Sequence, residues 1–457
     1  MEYRIEKDSL GEKQIESGAY YGINAARAYE NFKITYSSCH SVMIESIAQI
    51  KKAAAIANFK GGAISEDVCN AISKACDEII SGKIHDAFVV DPLQGGAGTS
   101  FNMNANEVIA NRAIEILGGT KGDYSIVHPN DTVNCGQSTN DVYPTSGRLT
   151  AIKLLNKAIV EIESLRQTFM NKSEEFKDVV KMGRTEMEDA VPTTLGKSFH
   201  AYASAFSRDI ERFRDAVNRL STVNMGATAI GTGITANNYY MDHIAEELSN
   251  VVGMKLTQAE DLIDATQNAD TFAFVSGAIK ACAVTLSKVS NDLRLMASGP
   301  RCGFGEIELM PMQSGSSIMP GKINPVIPEL MSEISFRIIG NDTTITMACE
   351  AGQLELNAFE PVMFMALFES LDILTNGLRT FNEKCVNVVK ANADVCRRQV
   401  ESSAGLATAL SPYIGYAKAS EIAKQSLREK RTVKEIAFEQ NIMTDRLDTI
   451  LDEKNMM

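Results

Sequence analysis

The sequence lacks any apolar stretch long enough to cross a bilayer. A membrane-spanning helix needs roughly 18 or more consecutive apolar residues, and no run of that length occurs among the 457 residues. The start, Met1-Glu2-Tyr3-Arg4, also has no apolar core of the kind that secretory signals carry. These absences predict a cytoplasmic protein with no membrane partner.

Positive charge is also in short supply. Lys and Arg number 45 against 58 Asp and Glu, so the formal net charge is −13 at pH 7. Nucleic acids and anionic membranes both need a basic surface that neutralises phosphates. We therefore expect no nucleic-acid partner, and a site for an anionic substrate must supply its own local positive charge and N–H donors.

Cysteine pairs and cofactor motifs are absent as well. The nine cysteines are scattered, without a C-x-x-C pair or a cluster of cysteines and histidines that would suggest a metal cage, which predicts free thiols in a reducing compartment and no metal site. The glycine-rich stretches lack the strand–GxGxxG–helix context of dinucleotide binding. We expect no required cofactor. Activation by Mg²⁺ stays open, although no ligand cluster marks a site for it.

The strongest pattern that is present is a long helix between Gln267 and Ser298, closed by the stop signal Gly299-Pro300. Apolar residues recur there at alternating spacings of three and four, which is a heptad seam. At about 1.5 Å per residue the helix would be almost 50 Å long, and its few charges mean that its other faces must also be covered. A bundle helix shared between subunits explains this. The seam consists of Phe272, Val275, Ile279, Cys282, Leu286, Val289, Leu293 and Met296.

The remaining patterns predict a mainly α protein with three domains and a central bundle of long helices. An N-terminal domain, 1–139, mixes short helices with glycine-rich turns; a helical domain, 140–393, follows; and a small helical domain, 394–457, ends the chain. Further helix signals lie at Asn156 to Lys181 and at Glu329 to Cys385, the second interrupted at Pro361. In the last domain, Thr432 to Glu435 forms a capping box that opens a small helix.

Four segments crowd glycines, hydroxyls and amides into turns, and each is a candidate anion cradle. Taken alone, the first three also fit ordinary turns and helix N-caps. The fourth, Gly-Ser-Ser-x-Met-Pro-x-Lys-x-Asn followed by Pro325, is too particular for a generic loop. The segments are Gly95 to Ser100 with Asn102 and Asn104, Gln137 to Asp141, Gly183 to Glu186, and Gly315 to Asn324.

The fourth segment resembles the signature loop of the aspartase/fumarase superfamily. The resemblance covers essentially the whole chain, and its aspartase branch fits better than its fumarase branch. The further segments that carry it, in the family's order, are Arg4 to Gly11, Ala19 to Gly22, Gly95 to Asn104, Gln137 to Asp141, Lys181 to Gly196, Gly226 to Gly233 and Gly340 to Thr344.

The resemblance implies a homotetramer in which long helices of four subunits form one helical core. It implies reversible elimination of ammonia from L-aspartate to give fumarate, with segments of three subunits forming each site. Ser316 would be the general base, activated by backbone N–H groups and Lys322. Thr99, Ser138, Thr139 and Ser317 would hold the aci-carboxylate intermediate, Lys322 and Asn324 the α-carboxylate, and Asn140 and Thr185 would lie near the amino group. For Ser317, a role limited to shaping the loop stays open.

One residue departs from the family's pattern. Glu186 stands where fumarases and many aspartases would place His or Gln, and in fumarases that histidine pairs with a glutamate matching Glu329. Two carboxylates beside a dianionic substrate cannot easily both stay ionised. Either one keeps a proton, or the pair attracts a cation such as the substrate's ammonium group. The alternative is that Glu186 turns to the surface or caps a helix.

Two other enzymes on the same scaffold stay open: a fumarate hydratase, and a lyase for another amine adduct of fumarate. The missing histidine at position 186 argues against the hydratase. A non-catalytic helical scaffold would explain the heptad seam, but it would not explain why Ser316, Lys322 and Asn324 all stand in an intact loop.

Overall fold

A computed structural model describes residues 2–451, and 62% of it is helical. The prediction of a mainly α fold is confirmed. The helices are α1 Ile23–Asn31, α2 Ser41–Lys60, α3 Glu66–Ile80, α4 Thr99–Ile116, α5 Thr139–Glu175, α6 Leu195–Leu220, α7 Asn238–Val252, α8 Leu262–Gln267, α9 Asp270–Met296, α10 Val326–Glu350, α11 Glu360–Phe381, α12 Ala393–Ser402, α13 Ser411–Ile414, α14 Tyr416–Glu429, α15 Val433–Glu439 and α16 Leu447–Ile450.

The strands are short and form two-stranded sheets. Three of these sheets are antiparallel: β1 Tyr3–Asp8 with β2 Gly11–Glu16, β3 Val180–Thr185 with β4 Glu188–Thr194, and β7 Ile307–Glu308 with β8 Lys390–Ala391. In the fourth, β5 Thr222–Val223 pairs in parallel with β6 Thr257–Gln258.

The chain forms two compact units, each built from three stretches of sequence. The first contains Met1–Ile159, Arg212–Ala281 and Arg337–Ile373, and the second Val160–Glu211, Cys282–Phe336 and Leu374–Met457. The five longest helices, α5, α6, α9, α10 and α11, have residues in both units. The predicted domain boundaries at residues 139 and 393 stay predictions.

Aromatic side chains hold the helices together within each unit. In the first unit, Phe364 of α11 packs against Phe272 of α9 and Tyr143 of α5, with ring centroids 5.0 and 5.4 Å apart. In the second unit, Phe169 of α5 packs against Phe206 of α6 at 5.7 Å. Rings of this kind bury large apolar areas and dominate core energetics.

The long apolar helix is where the heptad seam predicted it. Helix α9 runs from Asp270 to Met296, within three residues of the predicted bounds at either end, and all eight seam residues are buried. Among the described residues, α9 alone is long and apolar enough to suit a membrane span, but half of its most apolar window is buried inside the protein. Since core helices pass the same test, this is weak evidence for a membrane, and the cytoplasmic location stays a prediction.

The helix predicted at Asn156 to Lys181 was misplaced. Helix α5 begins at Thr139, contains Pro144 and ends at Glu175. Residues 141–152 are buried on every side, and polar residues such as Asp141, Ser146 and Arg148 are buried together with apolar ones, so the sequence there shows no alternation between an apolar and a polar face. Hydrophobic periodicity therefore could not locate the start of α5.

Two smaller predictions also need correction. Pro361 does not interrupt a helix; it is the second residue of α11, where a proline costs no hydrogen bond, and the break lies before it at residues 351–359. The N-terminal region contains long as well as short helices, since α2 has 20 residues and α4 has 18.

The C-terminal part of the second unit has the short amphipathic helices that were predicted. Thr432 and Glu435 form the predicted capping box at the start of α15. Val433 and Ile436 of that helix are buried in one apolar cluster with Val180 and Met182 of β3. The nine cysteines are free thiols, and only Cys302 is exposed.

Candidate active site

The first glycine-rich segment is the N-terminus of helix α4. Gly98 adopts φ 83°, and a Cβ at this position would lie 2.4 Å from the ring of Tyr143, so only glycine fits. Thr99 is the first helical residue and is exposed, and its backbone N–H donates to the Gly96 carbonyl at 2.9 Å. A helix N-terminus presents backbone N–H groups and a positive dipole end, which favours an anion.

The second segment opens helix α5. The backbone N–H of Ser138 donates to Asp141 Oδ1 at 2.9 Å, and the backbone N–H of Asn140 donates to Ser138 Oγ at 3.2 Å. This is the N-cap arrangement that was the alternative to an anion cradle. The same segment nevertheless leaves Ser138 and Asn140 half exposed, so capping the helix does not remove these side chains from a ligand's reach.

Thr139 and Asn140 are held by contacts from distant parts of the chain. Asn102 of α4 donates from Nδ2 to Thr139 Oγ1 at 3.1 Å, and Asn140 donates from Nδ2 to the Ala229 carbonyl at 2.7 Å. The first contact fixes the Thr139 hydroxyl, and the second ties the start of α5 to the Gly226–Gly233 turn.

The segment itself contains a buried carboxylate, Asp141, to which the sequence reasoning assigned no role, and a buried lysine next to the segment, Lys51, was missed. Asp141 accepts backbone hydrogen bonds from Gly226 and Thr228 at 3.2 and 3.0 Å, and burial raises its pKa to about 6. Lys51 of α2 is fully buried. In the sequence, Lys51 is one of two adjacent lysines in an ordinary helix, and nothing there distinguishes it from its neighbour Lys52.

The third segment is the tip of the hairpin formed by β3 and β4. Thr185 pairs with Glu188, which leaves Glu186 and Met187 as a two-residue turn with φ 54° and 71°. Two central residues with positive φ define a type I′ turn. Thr185 and Glu186 are both exposed. The surface position that was the alternative for Glu186 is therefore what this single chain shows.

Arg184, in strand β3, makes structural contacts. Its Nη1 donates to the buried carboxylate of Glu306 at 2.6 Å, and its guanidinium lies 4.3 Å from the ring centroid of Phe304. Glu188 is exposed at the start of strand β4.

The signature loop closes on itself. The backbone N–H of Gly315 donates to the Lys322 carbonyl at 3.0 Å, and Asn324 Nδ2 donates to the Gly315 carbonyl at 2.7 Å. A Cβ at position 315 would lie 2.4 Å from the Lys322 carbonyl oxygen. The close approach of the two ends of the loop therefore requires a glycine at this position.

Inside this ring, Ser316 receives two hydrogen bonds. The backbone N–H groups of Ile318 and Met319 donate to its Oγ at 3.2 and 2.9 Å. Donors of this kind favour a negative oxygen over a hydroxyl, because they strengthen as charge develops on the acceptor. The side chains of Ser317 and Lys322 are exposed, and Glu329 is half-buried in the first turn of α10.

The structure thus brings the candidate residues into two groups. Thr99, Ser138, Thr139 and Asn140 belong to the first unit. Thr185, Glu186, Ser316, Ser317, Lys322, Asn324 and Glu329 belong to the second unit. Within residues 2–451, no group of three or more His, Cys, Asp or Glu side chains is arranged to hold a metal ion. Both groups instead offer hydroxyls, amides and backbone N–H donors, which suit a carboxylate ligand.

Known proteins resemble this chain along its whole length. A model of the lyase family matches residues 11–340, and a model of the fumarase C C-terminus matches residues 406–457. An aspartate ammonia-lyase of Bacillus subtilis is 49% identical over 456 residues, covering 100% of this chain and 96% of that protein. An aspartate ammonia-lyase of Helicobacter pylori is also 49% identical, covering 99% of this chain and 98% of that protein.

Solved structures give the same answer for the fold. A cobalt-bound fumarate lyase:delta crystallin from Brucella melitensis superimposes with a TM-score of 0.97 at 46% identity, and a class II fumarase from Schistosoma mansoni with 0.96 at 33% identity. In both cases the match covers 100% of this chain and 99% of the other chain. The chain therefore belongs to the lyase family of the aspartase/fumarase superfamily, and it is a carbon–nitrogen lyase.

Proposed function

We propose that the chain is an aspartate ammonia-lyase that converts L-aspartate reversibly to fumarate and ammonia, with Ser316 as the general base. The observation that carries the proposal is the pair of backbone N–H groups, from Ile318 and Met319, that donate to Ser316 Oγ. A serine hydroxyl is a poor base unless its alkoxide is stabilised, and these donors supply that stabilisation.

The proposed reaction has two steps, removal of a proton from carbon and loss of ammonia. The Ser316 alkoxide takes the proton from the carbon beside the β-carboxylate, and the electron pair of that C–H bond moves into the carboxylate to give an aci-carboxylate. That pair returns to form the double bond as the C–N bond breaks and ammonia leaves. Donors placed for the extra charge carry most of the catalysis, about 3 kcal/mol each by analogy with oxyanion holes.

We assign the remaining roles by the family resemblance. Thr99, Ser138, Thr139 and Ser317 hold the aci-carboxylate, Lys322 and Asn324 hold the α-carboxylate, and Asn140 and Thr185 lie near the amino group. Thr99, Ser317 and Lys322 are exposed in the single chain. This exposure leaves their side chains accessible to a ligand or to another subunit. Glu186 lies beside the amino group, and Glu329 supports it from the start of α10.

We infer that the group leaving the substrate is ammonia and not water. The two aspartate ammonia-lyases are 49% identical to this chain, whereas the class II fumarase is 33% identical. The carboxylate of Glu186 also suits a cationic ammonium group better than a neutral hydroxyl. A fumarate hydratase and a lyase for a larger amine adduct of fumarate are the outcomes against which the proposal is tested.

The test follows fumarate by its ultraviolet absorbance. Purified protein is mixed with L-aspartate, with L-malate, or with fumarate plus ammonium, and the products are identified. We expect fumarate from aspartate and ammonia-dependent consumption of fumarate. Fumarate released from malate but not from aspartate would reverse the assignment to a hydratase, and no reaction with either acid would refute both.

We further propose a homotetramer with sites that combine segments of three subunits. Bundle helices carry exposed apolar side chains that water would not favour, and partner copies would cover them. They are Phe274, Val284 and Leu295 on α9, and Phe336, Ile339 and Met347 on α10.

Mixed assemblies test this arrangement. Ser316→Ala and Thr99→Ala chains, each with little activity alone, are unfolded together and refolded. Activity that reappears only in the mixture would show that one site takes Ser316 and Thr99 from different chains. A mixture as inactive as its components, in a tetramer confirmed by light scattering, would contradict shared sites.

We propose that the reaction requires no resident cofactor, because the base and the charge-stabilising groups all come from the chain. Activity after treatment with EDTA, followed by addition of Mg²⁺, measures any activation. We expect the chelated enzyme to keep its turnover, and a complete loss restored by one metal would overturn the expectation.

A further inference from the structure

The group that the proposed mechanism leaves unused is the buried lysine beside the start of α5. Lys51 is fully buried in the middle of α2. Its Nζ donates to Asn134 Oδ1 at 2.8 Å and to Gln137 Oε1 at 2.9 Å. Both acceptors are neutral amides, so the ammonium group has no carboxylate partner among its hydrogen bonds. A buried cation without such a partner is costly.

The acceptors of Lys51 connect it directly to the proposed ligand-binding segment. Asn134 Oδ1 also accepts from Asn102 Nδ2 at 3.2 Å, and Asn102 donates in turn to Thr139 Oγ1 at 3.1 Å. The Asn134 side chain donates to the Gln137 carbonyl at 3.2 Å, immediately before Ser138. Through these bonds, Lys51 orients the amides on which Thr139 and the turn before Ser138 depend.

We propose that Lys51 is a positioning residue: its buried ammonium group holds the turn that carries Ser138, Thr139 and Asn140, and supplies the positive charge that a dicarboxylate needs there. The inference rests on the proposed function, because that function places a carboxylate of the substrate at this turn. An anion bound there would give the buried cation the counter-charge that the amides do not provide.

The charges that face Lys51 set the sign of the expected pH dependence. Burial lowers the pKa of Lys51 to about 7, while the carboxylate of Asp141 on α5 and the thiol of Cys76 on α3 act in the opposite direction. Above this pKa, the free protein holds Lys51 mostly neutral. A bound dicarboxylate favours the ammonium form, so binding should take up a proton there and should weaken as the pH rises.

The test compares Lys51→Met with Lys52→Met. Methionine is unbranched and fills the space of the lysine chain without its charge. Lys52 is the next residue of α2, partly exposed and paired with Asp77 at 2.7 Å, so its variant controls for the loss of a lysine from this helix. Circular dichroism and light scattering verify fold and assembly of both proteins.

Binding is measured by calorimetry with succinate, a C4 dicarboxylate that cannot eliminate, in buffers of different ionisation enthalpy. One pH unit above the pKa of Lys51, the wild type and Lys52→Met should take up protons on binding, and Lys51→Met should not. Lys51→Met should bind succinate about tenfold more weakly or worse, and the KM for aspartate should rise similarly, as expected for the loss of a charged group.

The outcomes separate this inference from the proposed function. If Lys51→Met keeps the wild-type KM, succinate affinity and proton uptake, the role of Lys51 is refuted while the lyase activity stands. If the wild type fails to release fumarate from aspartate but still takes up protons with succinate, the lyase activity is refuted while the role of Lys51 stands. If Lys51→Met does not fold, the wild-type proton count decides, and no uptake above the pKa of Lys51 overturns the inference.

Discussion

The two candidate anion cradles, the signature loop and the turn at the start of α5, are held in place in different ways. The signature loop, Gly315 to Asn324, is shaped by hydrogen bonds among its own residues, and it leaves Ser317 and Lys322 exposed. The turn at Ser138 to Asp141 is held from outside, by Asn102 of α4 and by the turn at Gly226 to Gly233, and Lys51 of α2 binds Gln137 just before it. One cradle is local in sequence, and the other is assembled by the fold.

Because of this difference, substitutions in the two segments should affect the reaction and the free energy of unfolding in different proportions. Ligand-binding loops with few buried contacts belong to the less stable parts of a protein, so a substitution in the signature loop should change the reaction and leave the free energy of unfolding nearly unchanged. A substitution in the network beneath Ser138 removes buried hydrogen bonds, and it should change both. Three variants test this contrast, and a fourth tests Glu186, which lies in neither segment.

The largest effect is expected for Ser316→Ala. Removal of the proposed base should lower kcat by about 10³-fold or more, while the half-buried side chain contributes little to folding. The matched control is Ser314→Ala, an exposed serine two residues away. Stopped-flow and steady-state fumarate release measure kcat, and chemical denaturation measures stability. A Ser316→Ala enzyme that turns over at the parent rate would exclude Ser316 as the base.

Gly315→Ala should have the next largest effect. The added Cβ would meet the Lys322 carbonyl oxygen at 2.4 Å and the Asn324 backbone nitrogen at 2.8 Å, so the loop must open and displace Ser316. Displacement of a catalytic group by about 1 Å can cost about 10²-fold in rate.

Gly18→Ala is the control for this change, because Gly18 lies just after β2 at an exposed position that is not among the candidate site residues, and a Cβ there meets no atom within 4 Å. Equal kcat values for the two variants would mean that the ring closed by Gly315 and Lys322 has no part in the reaction.

The same contrast explains what could be predicted from the sequence. The signature loop was identified because all of its parts lie within ten residues, and α9 was identified because its heptad seam is a local repeat. Lys51 was missed because its meaning depends on Asn134 and Gln137, which are more than 80 positions away in the chain. The start of α5 was missed because its polar residues are buried together with its apolar ones, so its sequence does not separate an exposed face from a buried one.

The network beneath the second cradle is tested by Asn102→Ala. Asn102 is buried and donates to both Asn134 and Thr139, so its loss should lower stability by about 1–3 kcal/mol. Because the Thr139 hydroxyl also loses its fixed donor, kcat should fall about tenfold. Urea denaturation and steady-state kinetics measure the two quantities.

Asn106→Ala provides a matched comparison. Asn106 is equally buried and donates to the same Asn134 oxygen at 3.1 Å, but its contacts do not include Thr139. We expect a similar loss of stability with a much smaller loss of kcat. If both variants lose the same activity, the contact with Thr139 is not what connects this network to the reaction.

The smallest effect is expected for Glu186→Gln, at the exposed tip of the β3–β4 hairpin. The substitution removes one charge and keeps the shape, and the φ of 54° at this turn position is available to Gln at much the same cost as to Glu. If Glu186 attracts the ammonium group, the KM for ammonium in the reverse reaction should rise about fivefold or less, because exposed charge pairs are weak. The pH profile of the forward reaction should shift with it.

The control is Glu188→Gln, at a neighbouring exposed strand position, which should leave the KM for ammonium and the pH profile unchanged. Identical kinetics for the two variants would place Glu186 outside the site, so that the departure from the family's His or Gln would have no bearing on which amine the enzyme accepts.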